Sequence, residues 1–255
     1  MLNIMLCGCG GRMGAALGAA ATAAGDRIVA GVDINPTAAN TYPVYTSPEE
    51  FCGHADVIVD FSHHAALSGL LAYATRTATP IVVCTTGHSD EELAEMKAAA
   101  ATVPIFFSRN MSLGINLLMA LCRKAAATLG ADFDVEIIEK HHNQKLDAPS
   151  GTALMLADAL CEVRPEATVN CGRSGQGKRT QGEIGIHAIR MGNIVGEHEV
   201  MIGTPNQTIT LKHEAHSRAL FAEGALAAAA FLVGKEAGIY DMKSLISGTK
   251  IPQKV

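Results

Sequence analysis

The sequence has no tryptophan and few other aromatics, no Cys-x-x-Cys pair, no surplus of positive charge, and no apolar run long enough to cross a bilayer. Each absence excludes something. Seven cysteines, an odd number scattered from Cys7 to Cys171, make no disulfide framework and fit reduced thiols in a cytosol. A formal net charge of -5 gives no general attraction to nucleic acid or to an anionic membrane, so any anion site must be a local concentration of positive charge. The opening stretch to Ala24 is apolar, but Arg12 interrupts it and no basic region precedes it, which argues against a signal peptide or a span. A cytoplasmic protein that binds neither nucleic acid nor membrane is expected.

What is present is ample apolar and small-residue content. With 255 residues, 48% of them hydrophobic, the chain can hold one large or two modest domains, each with its own core. Richness in Ala and Gly suits helices packed closely on a sheet.

The first half alternates strands and helices. Leu2 to Leu6 is a short apolar run that ends in Gly8-Cys9-Gly10-Gly11-Arg12-Met13-Gly14 and continues as an Ala-rich helix to about Ala24. Glycines at 8, 11 and 14 let the backbone approach a pyrophosphate, whose charge a helix start favours. The spacing is Gly-x-x-Gly-x-x-Gly, not the standard Gly-x-Gly-x-x-Gly, and Arg12 and Met13 fall between the last two glycines. A second strand, Arg27 to Val32, ends in Asp33, which lies about 20 residues beyond Gly14, where an adenosine-ribose acid is expected. Strand, glycine turn, helix, strand and acid together point to dinucleotide binding. An Asp there, followed by the non-basic Ile34 and Asn35, favours NADH, because a carboxylate repels the 2′-phosphate of NADPH. Strands at Val57 to Asp60, Ile81 to Cys84 and Val103 to Phe107 extend a Rossmann-like, doubly wound parallel sheet. Its ligand loops then include Thr85-Thr86-Gly87, with His63, His64 and His88 as polar loop groups.

After Ser108-Arg109-Asn110-Met111-Ser112 the pattern changes. A long helix through Leu113, Leu117, Leu118, Leu121 and Leu129 leads into a strand at Phe133 to Ile138. Strands at Glu183 to Arg190, Ile194 to Ile202 and Thr208 to Lys212 follow, with turns between them. This is a second, α+β domain with a mixed or antiparallel sheet. The expected division is 1–108 with 221–255 for the dinucleotide and 109–220 for substrate and oligomerisation. The basic segment Cys171 to Gly182, with Arg173, Lys178 and Arg179, reads as a solvated loop. From Ser217 a helix runs to about Lys235, and the tail Gly238 to Ile246 can pack back on the first domain.

The chemical centre is Glu139-Lys-His-His-Asn-Gln-Lys-Leu-Asp-Ala-Pro-Ser-Gly-Thr152. His141, His142 and Lys145 supply an imidazole pair and a cation. Ser150 reads as the N-cap of a helix through Leu154 and Leu160, whose free amides attract a small anion. Two adjacent histidines can bind zinc, but no Cys or further His stands nearby at ligand spacing, so no metal site is expected.

With Asp-Phe-Ser at 60 to 62, Thr-Thr-Gly at 85 to 87, Ser-Arg-Asn-Met-Ser-Leu-Gly-Ile-Asn at 108 to 116 and Gly-Glu-His at 196 to 198, the chain resembles the 4-hydroxy-tetrahydrodipicolinate reductase family of lysine and diaminopimelate biosynthesis. The resemblance implies reduction, by NADH or NADPH, of a cyclic imine dicarboxylate formed from the hydroxylated substrate with loss of water. It implies that His141 is the proton donor with Lys145 as its cationic partner, and that Gly151 and Thr152 hold a substrate carboxylate while His142 touches substrate. Asn110 and Met111 match the nicotinamide and hinge loop. It also implies a homotetramer built through the second-domain sheets, and closure on binding. Arg109 and Met111 depart from the small residue and the aromatic common in that loop. Rival readings are another amino-acid-pathway dehydrogenase of this two-domain plan and a nucleotide sensor without turnover.

Overall fold

A computed structural model describes residues 1–35, 41–130 and 132–247; the end of the tail, 248–255, lies outside them. The chain forms two compact units, Met1–Leu113 with Arg218–Val255, and Gly114–Ser217.

In chain order the first unit sets out β1 (Asn3–Cys7), α1 (Arg12–Ala24), β2 (Arg27–Val32), β3 (Val44–Tyr45), β4 (Val57–Asp60), α2 (Leu67–Thr77), β5 (Ile81–Val83), α3 (Asp90–Ala99) and β6 (Pro104–Phe107). The chain then runs through α4 (Leu113–Leu129), β7 (Asp134–His141), α5 (Gly151–Cys161), β8 (Thr168–Cys171), β9 (Glu183–Arg190), β10 (Gly196–Thr204) and β11 (Gln207–Ala215). It returns with α6 (Ala219–Leu232), β12 (Gly238–Tyr240) and α7 (Met242–Ser247).

The first sheet is parallel throughout, in the order β12-β6-β5-β4-β1-β2-β3. Strand order reverses between β1 and β4, the switch point where doubly wound sheets bind ligands outside the carboxyl ends of their strands. Because both faces are covered, the central strands are apolar on both: Val57, Ile58 and Val59 are all fully buried. One face packs α1 and α6 through Leu17, Ala21, Ala225 and Ala229; the other packs α2 and α3 through Leu67, Leu70, Leu71 and Met96. The tail expected to return to this unit does so as β12, which pairs with β6.

The second sheet is mixed, in the order β11-β10-β7-β9-β8, with antiparallel pairs at β11-β10 and β10-β7 and parallel pairs at β7-β9 and β9-β8. Its central strand β7 alternates: Val135, Ile137, Glu139 and His141 are buried, and the residues between them are not. Val135 and Ile137 join Val200, Ile202, Ile184 and Ile186 against α4 and α5. The packed face of α4 is Ile115, Leu118, Met119, Cys122 and Ala126, whereas Leu117 and Leu121 are exposed.

Several sequence-based boundaries move. The strand expected over 133–138 reaches His141, because β9 and β10 pair with it from both sides as far as Lys140. His141 is therefore the last residue of a central strand, not a turn residue. The helix expected to reach Lys235 stops at Leu232. The strands β3 and β8 escaped the sequence, since each is short and lies at a sheet edge where the apolar pattern is thin.

Candidate active site

In the first unit the loop between β1 and α1 is shaped by what its glycines permit. Gly8 has φ +77, and a Cβ there would stand 2.6 Å from the carbonyl oxygen of Phe61. A Cβ on Gly14 would stand 2.4 Å from the carbonyl oxygen of Gly8, so helix and strand meet at backbone distance. Gly11 is the N-cap of α1 with no side-chain cap; the first amides of the helix, at Arg12 and Met13, lack intrahelical acceptors, as at any helix start. This is a cradle of glycine and amide with the positive end of a helix, and it fits the pyrophosphate of a dinucleotide. Arg12 is exposed, and Met13 leans partly on the core beneath.

Asp33 follows β2 beside this loop. Its Oδ2 accepts from the Gly10 amide at 2.9 Å and its Oδ1 from the Asn35 amide at 3.0 Å. The carboxylate thus braces the glycine turn and stands at the acid position the spacing predicted, with Ile34 exposed beside it.

Thr85 is buried at the end of β5, while Thr86 and Gly87, with φ +84, are exposed. The Thr85 hydroxyl donates to Oδ2 of the fully buried Asp60 at 3.1 Å and lies 3.0 Å from Nε2 of His88. Asp60 also accepts from the amide and hydroxyl of Ser62. Burial raises its pKa, and these neutral donors only moderate the rise. His88 and His64, expected as mere loop groups, are structural: the His88 side chain is 2% exposed and His64 Nδ1 lies 2.9 Å from Glu92. Ser89 and Glu92 close a capping box on α3. Asn110 and Met111 are both buried in the first unit; Asn110 Oδ1 accepts from the Ser112 amide, and Met111 packs in the core with its carbonyl against Gly224. The Met111 side chain is thus a packing group.

In the second unit the site is made of side chains. Glu139 is 0% exposed. Its Oε2 accepts from His141 Nδ1 at 2.6 Å and Arg190 Nη1 at 2.8 Å, and its Oε1 accepts from Arg190 Nη2 at 2.7 Å and the Ser150 amide at 3.0 Å. Burial would raise this carboxyl, but the bonds from His141, Arg190 and Ser150 outweigh it and hold the pKa at about 2. Ser150 caps α5 through a bond from the Ala153 amide at 3.2 Å, as expected, and its hydroxyl lies 3.1 Å from His198 Nε2. His198 is buried edge-on to His141, with ring centroids 5.2 Å apart. Burial, then the neighbouring His141, lowers its pKa to about 3, so it stays neutral.

Around this core lie the other expected residues. His142 and Lys145 are half-buried on the loop after β7, and Lys145 Nζ pairs with Asp147 at 2.8 Å. Arg190 also donates to the Asp147 carbonyl, tying that loop to β9. The peptide bond Ala148-Pro149 is cis. Gly151 opens α5, and a Cβ there would meet nothing within 4 Å, so the helix start faces open space. His141, Ser150 and the start of α5 are thus drawn together by Glu139.

Glu139, Arg190 and His198 were not singled out as site residues, although Glu139 and His198 stand in the motifs quoted above. The signal for Glu139 was the strand period, which puts it on the same face as His141 two residues on. The basic loop 171–182 is exposed at every residue but Arg179 and Gly182, as expected, and its arginines are tied to the sheet: Arg179 pairs with Glu136 at 3.1 Å and donates to the Val135 carbonyl at 2.7 Å, and Arg173 pairs with Glu183. Among the described residues no group of three or more His, Cys, Asp or Glu is gathered as a metal site, and no helix is long and apolar enough to cross a membrane.

Family models described as "Dihydrodipicolinate reductase, N-terminus" and "Dihydrodipicolinate reductase, C-terminus" match residues 2–111 and 114–246. A 4-hydroxy-tetrahydrodipicolinate reductase of Clostridium tetani is 46% identical over 97% of this chain and 98% of its own. One from Caldanaerobacter subterraneus is 47% identical over 96% and 98%. The dipicolinate-bound dihydrodipicolinate reductase of Paenisporosarcina sp. TG-14 superposes with a TM-score of 0.81 at 26% identity, covering 94% of this chain and 97% of that one. Nearly end to end, and through both units, the chain belongs to the dihydrodipicolinate reductase family.

Proposed function

We propose that the chain reduces 4-hydroxy-tetrahydrodipicolinate to tetrahydrodipicolinate, with loss of water, at the expense of NADH or NADPH. The observation that carries the reading is the His141-Glu139-Ser150 arrangement, an acid-base imidazole fixed beside a helix start open to a small anion. The first unit holds the nucleotide at Gly8, Gly11, Arg12, Met13 and Gly14, with Asp33 at the ribose and Thr85, Thr86, Gly87, Asn110 and Met111 toward the nicotinamide. Bound reduced nicotinamide supplies a hydride to the ring carbon conjugated with the imine. The second unit holds the substrate: Gly151 and Thr152 take a carboxylate with the dipole of α5 behind them. His142 touches substrate, and Lys145 brings the cation that a dicarboxylate needs.

His141 donates its Nε2 proton to the enamine that hydride addition leaves, completing the reduction. Lys145, on the loop that follows His141 and held by Asp147, favours the negative charge of the bound dianion. NADH is the preferred donor on this reading, because Asp33 meets a ribose hydroxyl better than a 2′-phosphate and Ile34 offers no charge to compensate. The enzyme is a cytoplasmic homotetramer assembled through the face of the second sheet opposite α4 and α5, which carries the Lys140-Glu197-Lys212 ion pairs.

The test is to supply enzymatically generated substrate and follow oxidation of NADH and NADPH separately, with His141→Ala alongside. Turnover that falls by about 10²-fold or more in the variant while nucleotide affinity is kept is the expected result. Nucleotide binding with no oxidation in the wild type would instead favour a sensor. The ratio of the two nucleotide rates tests the assignment of Asp33 and Ile34.

A further inference from the structure

We propose that Glu139 is a positioning residue that fixes which nitrogen of His141 carries the mobile proton and ties that imidazole to the start of α5. The inference rests on His141 being the proton donor. It begins from a count of donors and acceptors. An ionised carboxylate accepts only and offers about four lone-pair sites. Here four bonds fill them, from His141 Nδ1, two guanidinium nitrogens of Arg190 and the Ser150 amide.

An arginine nitrogen and a backbone amide can only donate, so neither can relieve the carboxylate if the fourth partner lacks hydrogen. Nδ1 of His141 must therefore hold its hydrogen in both protonation states. A neutral imidazole has one N–H, so Nε2 is then bare; in the imidazolium, the Nε2 proton is the one free to leave. Proton traffic is thereby confined to Nε2. That nitrogen lies 3.1 Å from where a Cβ on Gly196 would stand, so glycine at 196 keeps the neighbouring strand from crowding it.

The register of the sheet builds this arrangement. Glu139 and His141 share a face of β7, and His141 stands opposite Arg190 of β9. A purely structural role would need Glu139 only to neutralise Arg190. The same carboxylate, however, also takes the Ser150 amide, which fixes the cap of the helix proposed to hold the substrate carboxylate. One group thus sets both the tautomer of the acid and its place beside the anion site.

The experiment uses full-length protein labelled with nitrogen-15. Long-range proton-nitrogen spectra, taken where His141 is neutral, assign its tautomer in the wild type, in Glu139→Gln and in Glu139→Asp. Steady-state rates and NADH affinity are measured on the same samples. A glutamine replaces one acceptor oxygen with an NH₂ group that faces existing donors. The expected outcome is an Nδ1–H tautomer in the wild type, lost or mixed in Glu139→Gln. With it, kcat falls by about 10²-fold and KM rises by a smaller factor, while NADH affinity changes by less than about threefold, and Glu139→Asp recovers part of the rate.

An Nε2–H tautomer in the wild type overturns the proposal whatever the variants do. So does a folded Glu139→Gln that keeps its tautomer or keeps kcat within about threefold. If Glu139→Gln does not fold, the wild-type spectrum and Glu139→Asp decide. Absence of turnover in the wild type would overturn the reductase reading, and the wild-type spectrum would still judge the tie between Glu139 and His141.

Discussion

Asp60 in the first unit and Glu139 in the second are both 0% exposed, yet their acidities shift in opposite directions. Asp60 accepts from the Ser62 amide and hydroxyl and the Thr85 hydroxyl, all neutral, and burial wins, so its pKa rises. Glu139 accepts from a guanidinium fork, an imidazole and an amide, and the partners win, so its pKa falls to about 2. Hydrogen bonds to charged donors are roughly twice as strong as neutral ones, and that difference decides whether desolvation is overcome. The contrast extends to the two sites as wholes. The loop proposed to take the nucleotide is built of backbone, glycine and helix start, while the site proposed for substrate is built of buried charges that need one another.

Acid breaks the comparison most strongly. His198 is held neutral to about 3, against an ordinary 6.5, so between those values the unfolded chain binds more protons than the native one. Its contribution is full above pH 6.5 and is lost as pH falls toward 3, by roughly 5 kcal/mol. Glu139 adds a loss of about 3 kcal/mol between pH 4.5 and pH 2, because its native pKa is the lower one. Asp60 acts in the opposite sense, with stability full below pH 3.8 and lost as pH rises through its raised native value. Denaturant titrations across pH check this, and His198→Gln should flatten the 6.5-to-3 segment; a slope unchanged by that variant would remove His198 as its source.

Amide substitution sharpens the contrast. Glu139→Gln leaves a half-buried Arg190 without its counter-charge and should lower stability at neutral pH by about 3 kcal/mol. Asp60→Asn, which removes a buried charge whose hydrogen bonds do not outweigh its burial, should stay within about 1 kcal/mol of the wild type. Equal losses in the two melts would mean that the partners do not decide the matter.

Glycines give the next smaller effect. Gly14→Ala forces a Cβ to 2.4 Å from the Gly8 carbonyl oxygen; overpacking of about 1–3 kcal/mol should weaken NADH binding about tenfold or more. Gly151→Ala meets open space and should change the unfolding free energy by less than about 0.5 kcal/mol. Nucleotide fluorescence titrations and denaturation curves separate the two.

Ser150→Ala deletes the cap bond to Ala153 and should cost about 1 kcal/mol. KM for the substrate should rise more than kcat falls. A dominant fall in kcat would mean that Ser150 does more for His141 than for the anion site.

Much of this was legible before any coordinates. Glycines at 8 and 14 announced the turn because their conformation and close approach depend on a few consecutive residues. Asp33 was found by its distance from the loop, Ser150 by its place before an apolar helix, and the change of domain by the change from a βα alternation to a run of strands. The face of α4 was not legible, since Leu117 and Leu121 read as apolar as Leu118 and Met119 but stand exposed. The end of β7 was not legible either, because pairing with β9 and β10 carries the strand through residues whose side chains are polar.

The sequence by itself determined the glycine cradle, the acid after the second strand, the helix cap at Ser150 and the histidine proposed as the proton donor. Those are matters of φ, spacing and side-chain type within short stretches. Only the tertiary structure decided that Arg190 reaches Glu139 across 51 residues and that His198 reaches Ser150 across 48. Strand register sets those pairings, and a slip of one residue would turn each side chain to the other face of the sheet.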